Sequence, residues 1–203
     1  MAGIVIAVVV FGSWRLSEGE NSAVPGVWST VAVSSGDSVD IVQRLTFASA
    51  RASLTVSIPT REAPTERFDP RVDKLRVRAD GRAAPGLSKP LGKGETHTFT
   101  FPEPATSVVL TYAATGTVAK TRPSAPGRAL ALLTPLTIEG QVELGSRVEI
   151  ERDGVLNLGC IAAGAPMTAC GSETPRHWVV ERIAGDPVVD VVAQIDLPET
   201  PRP

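Results

Sequence analysis

Apolar and polar residues alternate with a period of two along most of this chain. From Val39 to Phe47 the odd positions (Val39, Ile41, Gln43, Leu45, Phe47) form a mainly apolar face, and Asp40, Val42, Arg44 and Thr46 a mainly polar one. That alternation predicts a strand with one side against a core. Leu54, Val56 and Ile58 alternate with Ser53, Thr55 and Ser57, and Pro59, which has no ladder donor, ends that strand. Leu75, Val77 and Ala79 alternate with Lys74, Arg76 and Arg78, and the Asp80-Gly81 pair that follows is a strong hairpin signal.

The pattern continues to the C-terminus. Gly92 to Glu95 reads as a turn, after which His97, Phe99 and Phe101 alternate with threonines until Pro102. Val108, Leu110 and Tyr112 form another strand, Gly116 a bulge or bend, and Pro123 to Gly127 a loop. Leu130, Leu132, Thr134, Leu136 and Ile138 make one more face. Arg147 to Glu151, an Asp153-Gly154 turn, Val155 to Leu158, Trp178 to Ile183 and Val188 to Leu197 complete the series. No stretch after residue 16 carries a 3.6-residue apolar stripe with caps.

Roughly ten to twelve one-sided strands must bury their apolar faces against a second sheet, which predicts an all-β, antiparallel sandwich. Residues 28–137 hold about seven strands, the number of an immunoglobulin-like sandwich. Residues 138–200 then form a smaller β module with both cysteines; one undivided unit is the alternative. A module that small buries little core, so a covalent crosslink there makes physical sense.

The N-terminus breaks the alternation. Ala2 to Gly12 is an uncharged apolar run, with Trp14 and Arg15 behind it and no Lys or Arg before it. As a helix it rises roughly 16 Å against a hydrocarbon core of about 30 Å, too short to span alone. Residues 1–16 therefore read as a hydrophobic helix, either the h-region of a signal peptide or part of an anchor, touching the membrane through Ala2 to Trp14. The missing basic flank points to an anchor whose first portion lies outside this chain. Its β-branched residues also suit a buried strand. Residues 17–27 read as a polar tether.

Cys160 and Cys170 bracket nine residues that include Gly and Pro. This spacing suits neither a CxxC redox pair nor a zinc site. A disulfide is the favoured reading over two buried thiols, and it implies an oxidising compartment. With 20 basic and 22 acidic residues the net charge is -2, which argues against nucleic acid as a partner. The charge is uneven: residues 59–93 hold nine basic and five acidic side chains, residues 139–200 four and eleven.

Catalytic chemistry finds few candidates. His97 and His177 are the two imidazoles; one shares a strand face with Phe99 and Phe101, and the other stands beside Trp178. GxSxG, SxxK, HExxH and a nucleotide-binding GxGxxG are missing, and Gly86 to Gly94 departs from a phosphate loop in spacing and lacks Ser or Thr after Lys93. That segment reads as a turn. Glu149, Glu151 and Asp153 read as a solvated strand face paired to Arg147 or Arg152 rather than a calcium site. Neither a metal nor a cofactor is implied. Lys74, Arg76 and Arg78 form a possible binding patch for an anionic envelope polymer, and edge-strand protection by repelling charges explains them equally well.

In layout the chain resembles a group of actinobacterial exported or membrane-anchored proteins in which one hydrophobic segment precedes an immunoglobulin-like sandwich. The carriers are Ala2 to Gly12, the GDSV start at Gly36 to Val39, Asp80-Gly81 and the Cys160/Cys170 pair. Arg outnumbers Lys sixteen to four, in keeping with a high-GC bacterial genome. The resemblance implies an extracytoplasmic role. The expectation is a non-catalytic binding or structural module, membrane-anchored or secreted, whose partner is a protein or cell-envelope component. The alternative is an exported hydrolase whose residues converge only in the fold.

Overall fold

The architecture is that of a computed structural model describing residues 24–34, 38–61, 65–120 and 127–196. The apolar run, residues 17–23 of the tether and most of the Pro123 to Gly127 loop lie outside these residues. The strands are β1 (Gly26–Val33), β2 (Val39–Ser57), β3 (Arg71–Val72), β4 (Arg76–Ala79), β5 (Arg82–Ala84), β6 (Thr96–Thr115), β7 (Val118–Lys120) and β8 (Arg128–Leu132). They continue as β9 (Thr137–Ile138), β10 (Gly145–Glu151), β11 (Val155–Ala162), β12 (Thr168–Ala169), β13 (Ser172–Glu173), β14 (His177–Arg182) and β15 (Val189–Asp196). Among the described residues a 3-10 turn, Gln141–Glu143, interrupts them. No helix among the described residues is long and apolar enough to cross a membrane.

The strands form two sheets, so the chain is all-β as the alternation predicts. The larger runs β13-β14-β10-β1-β2-β6-β4-β5, with β3 on β6 and β9 on β2; the smaller runs β12-β11-β15-β8-β7. Pairing is antiparallel except for β1 with β10, which is parallel. Ile41, Leu45, Val77, Leu110 and Ile150 of the larger sheet share one core with Ala131, Leu158, Val191, Ala193 and Ile195 of the smaller. Strands after residue 138 enter both sheets: β10, β13 and β14 join the larger and β11, β12 and β15 the smaller. The Asp153-Gly154 turn, with Gly154 at φ 76°, carries the chain from one sheet to the other.

Two strand ends differ from the sequence pattern. Segments 39–47 and 53–57 belong to one 19-residue strand, and Pro102 does not end β6, which runs 20 residues. Opposite each other, β2 and β6 slip register between Thr46, Arg51 and Ser53. Pro102 and Pro104 sit in this irregular stretch, where no ladder N–H is required. The face predicted from Leu130 to Ile138 divides instead: β8 ends at Leu132 in the smaller sheet, and β9 at Thr137–Ile138 belongs to the larger. Pro135 lies in that crossing. The Asp80-Gly81 hairpin forms as expected between β4 and β5, with φ of 45° and 78° at its two residues. Gly116 makes the bend after β6, and a Cβ there would lie 2.1 Å from the Asp69 carbonyl oxygen.

Phe68, in the connection between β2 and β3, covers part of the smaller sheet. Phe68, 2% exposed, packs with Leu132, Ile161 and Val192 on the side of that sheet turned away from the main core. Cys160 and Cys170 are disulfide-bonded, which folds β12 back along the β11 edge. Met167 in this loop lies over Gly159, where a Cβ would meet its sulfur at 2.6 Å.

Candidate functional site

Two surfaces differ in how their charges are satisfied. The first is a cleft of about 380 Å³ beside the Phe68 strap, with Arg61 and Asp190 on its floor and Thr60, Thr65 and Thr137 among its walls. Arg61 follows Pro59, which ends the long strand, and its side chain is only 3% exposed. Its Nε donates to Asp190 Oδ2 at 2.9 Å and one terminal nitrogen to Oδ1 at 3.1 Å, a two-pronged pair. The carbonyls of Pro59, Thr134 and Pro135 accept its remaining bonds. So Arg61 ties the end of β2 to β15 and to the crossing between the sheets. A buried pair held this completely is a structural tie, strongly destabilising when one partner is removed.

A short polar chain runs through the core nearby. Tyr112 Oη donates to Gln43 Oε1 at 3.1 Å, and Gln43 Nε2 donates to Ser29 Oγ at 3.3 Å, linking β6, β2 and β1. Burial pushes the Tyr112 hydroxyl well above its ordinary value, and the charge of Arg61 pulls weakly the other way. Arg182 is buried at the far edge of the larger sheet, where it donates to the carbonyls of Gln141, Val142, Leu144, Ile183 and Asp186. Both buried arginines are thus consumed by the fold.

The second surface is the outer face of the larger sheet, and here the predicted basic patch is extended. Arg76 and Arg78 project from β4 on the exposed side, with Lys74 just before them, while Leu75, Val77 and Ala79 point into the core. Register carries the row across the sheet. Arg78 lies opposite Val109 of β6, Val109 opposite Arg44 of β2, and Arg44 opposite Trp28 of β1. Directly opposed residues share a face, so Arg78, Arg44 and Trp28 stand on one side of the sheet. Lys74, Arg76, Arg78 and Arg44 are exposed and form no ion pair with the described residues. Trp28 is 48% exposed.

The row ends on acids. Arg147 of β10 faces Trp28 and places its guanidinium 5.3 Å from the ring centroid. Glu149 accepts from Arg147 at 2.9 and 3.0 Å, and Glu181 accepts from its other terminal nitrogen. The hydrogen bonding to Glu149, more than that to Glu181, holds the Arg147 guanidinium above its usual range. Arg152 pairs instead with Glu173 at 2.7 Å. Among the described residues no group of three or more His, Cys, Asp and Glu is placed to hold a metal ion.

Among the described residues neither imidazole ring is hydrogen-bonded to a hydroxyl or carboxylate. The His97 ring meets Phe99 edge-on at 4.6 Å, and His177 engages Thr174 through its backbone N–H and carbonyl. Neither lines the Arg61–Asp190 cleft or the 310 Å³ dip at the β4–β5 hairpin, which Arg82 and Glu103 border. The segment Gly86 to Gly94 is closed on itself: Lys89 pairs with Glu95 at 2.8 Å, and the Gly92 N–H donates to the same carboxylate. The Lys89 bond and then the Gly92 bond lower the Glu95 carboxyl.

Arg44, Arg61 and Asp190 were invisible as site residues in the sequence. Arg44 sits on the polar side of its strand, but only the register with β4, more than thirty residues away, aligns it with Arg78.

No protein-family model matches the chain, and no curated protein sequence matches it. Among solved structures, an aminopeptidase N family protein from Idiomarina loihiensis aligns with 84% of this chain and 29% of its own, at 14% identity and a TM-score of 0.50. The M1 zinc metallopeptidase from Deinococcus radiodurans aligns at 14% identity and a TM-score of 0.31, over 84% of this chain and 42% of its own. A mutant of it bound to a Tyr-Ser-Ala substrate aligns at 15% and 0.33, over 83% and 41%. The chain therefore spans less than half the length of each of these proteins. At these identities the likeness to the Idiomarina protein is one of fold.

Proposed function

We propose that this chain is an extracytoplasmic, non-catalytic binding module, an immunoglobulin-like sandwich anchored through Ala2 to Trp14 or secreted. It engages a protein or cell-envelope component through the outer face of the larger sheet. The observation that carries this reading is the set of cations with no ion-pair partner among the described residues, Lys74, Arg76, Arg78 and Arg44, gathered with a half-exposed Trp28 on one open face. Elsewhere in the described chain buried arginines are fully bonded, so cations left unpaired together mark a surface free to meet a ligand. The Cys160–Cys170 disulfide supports an oxidising compartment. The resemblance to actinobacterial exported proteins supports the same address.

An exported hydrolase is the second reading, favoured by the cleft over Arg61 and Asp190 with its three threonines. It lacks an imidazole there, and Asp190 is already bound to Arg61. Protease treatment of intact cells expressing the full chain, followed by co-sedimentation with their envelopes, tests the preferred reading. The passenger should be degraded from outside, and envelope association should fall on charge reversal at Arg44, Arg76 and Arg78. A protected cytosolic passenger overturns the reading, as does peptide hydrolysis by the purified chain.

A further inference from the structure

The outer sheet face has a geometry that selects among ligands. Arg78 and Arg44 are two strands apart in register, about 10 Å at the usual strand spacing, and Trp28 is one strand further. Between and beside them lie Val109, Thr111 and Thr30, so the ground separating the charges carries short side chains and hydroxyls. The row stops at Glu149 and Glu181, which occupy Arg147. A guanidinium presents a planar fork that matches a carboxylate. The face of an indole offers an apolar plate beside it.

We propose that an extended acidic polysaccharide, carrying carboxylates on some of its sugars, lies across the strands of this face. Arg78 and Arg44 bind acidic groups about 10 Å apart along the chain, Arg76 and Lys74 add to the field, and Trp28 receives a sugar ring. The inference rests on the sheet-face reading above and names its ligand class. A nucleic acid duplex fits less well, because its charges recur about every 1.7 Å along the axis and it would overlie Glu149 and Glu181. Spaced charge on a flexible chain suits spaced arginines.

Equilibrium binding of the purified full chain to polygalacturonate, polyphosphate, a single-stranded oligonucleotide and neutral dextran tests this, each across a salt series. Polygalacturonate should bind tightest, weaken steadily with salt, and lose at least tenfold in affinity on combined Arg44→Glu, Arg76→Glu and Arg78→Glu. Trp28→Ala should lower affinity several-fold with the salt slope retained, and Arg176→Glu, exposed on another part of the surface, should change nothing. Equal or tighter binding of polyphosphate or the oligonucleotide overturns the polysaccharide assignment, as does no binding of polygalacturonate at low salt. Salt-independent dextran binding that needs Trp28 overturns the acidic ligand while leaving the sheet face as the site. Polygalacturonate binding insensitive to the arginine reversals but lost in Arg176→Glu overturns both.

Discussion

The outer faces of the two sheets are treated in opposite ways. On the smaller sheet a strap brings Phe68 down over Leu132, Ile161 and Val192, and Arg61 locks the start of that strap to Asp190. On the larger sheet Arg44, Arg76 and Arg78 project without ion-pair partners among the described residues. The same side chain is structural when carbonyls and a carboxylate surround it, and available when only solvent does. What separates the two settings is burial and satisfaction, and on that difference rests the proposal that one face serves stability and the other recognition.

The closed face should break hardest. Arg61→Ala leaves Asp190 without its partner in a largely buried position and should lower unfolding free energy by about 3 to 5 kcal/mol in denaturant melts. A loss under about 1 kcal/mol would remove Arg61 as a tie. Phe68→Ala should follow at about 3 kcal/mol, since the ring is buried in a small satellite cluster. Replacing both Cys160 and Cys170 with Ala should destabilise by about 3 kcal/mol, the chain-entropy value for so short a loop.

The interior offers an optical check between those extremes. Tyr112 is the one tyrosine in the chain and is buried with its hydroxyl raised above the ordinary value. Its neutral form is favoured by the fold, so its contribution is fully present below about pH 10, the unfolded value, and declines as pH climbs from there. Absorbance titration should show no tyrosinate until the protein unfolds. Tyr112→Phe should remove that alkaline limb and cost about 1 kcal/mol near neutrality through the unpaired Gln43 oxygen. On the open face, single Ala replacements of Arg44, Arg76 or Arg78 should change stability by less than about 0.5 kcal/mol, because their exposed side chains form no ion pair with the described residues.

Much of the fold is legible in the alternation of residues. Ile41, Leu45 and Val56 of β2, Val77 and Ala79 of β4, and Val108 and Leu110 of β6 point inward as the period of two requires, and Asp80-Gly81 turns where its φ preferences allow. The sequence pattern overestimates Pro102 as a stop, because a proline in a bulged stretch interrupts no ladder bond. Leu130 to Ile138 alternates like one strand yet crosses between sheets, since alternation reports which side is buried and carries no record of the neighbour. The Lys74, Arg76, Arg78 patch was visible locally, whereas Arg44 and Trp28 joined it only through long-range register. Phe68 had no periodic context at all, and Arg61 lay in a segment whose charges suggested solvent.

The contrast between bound and unbound guanidiniums can be read in one experiment. Arginine side-chain Nε–H resonances, followed by NMR as polygalacturonate is added to the full chain, should shift for Arg44, Arg76 and Arg78 together with the Trp28 indole. Arg61 and Arg182, held in the interior, should stay in place. Shifts confined to residues around the Arg61–Asp190 cleft, with the sheet face silent, would contradict the assignment of recognition to the open sheet.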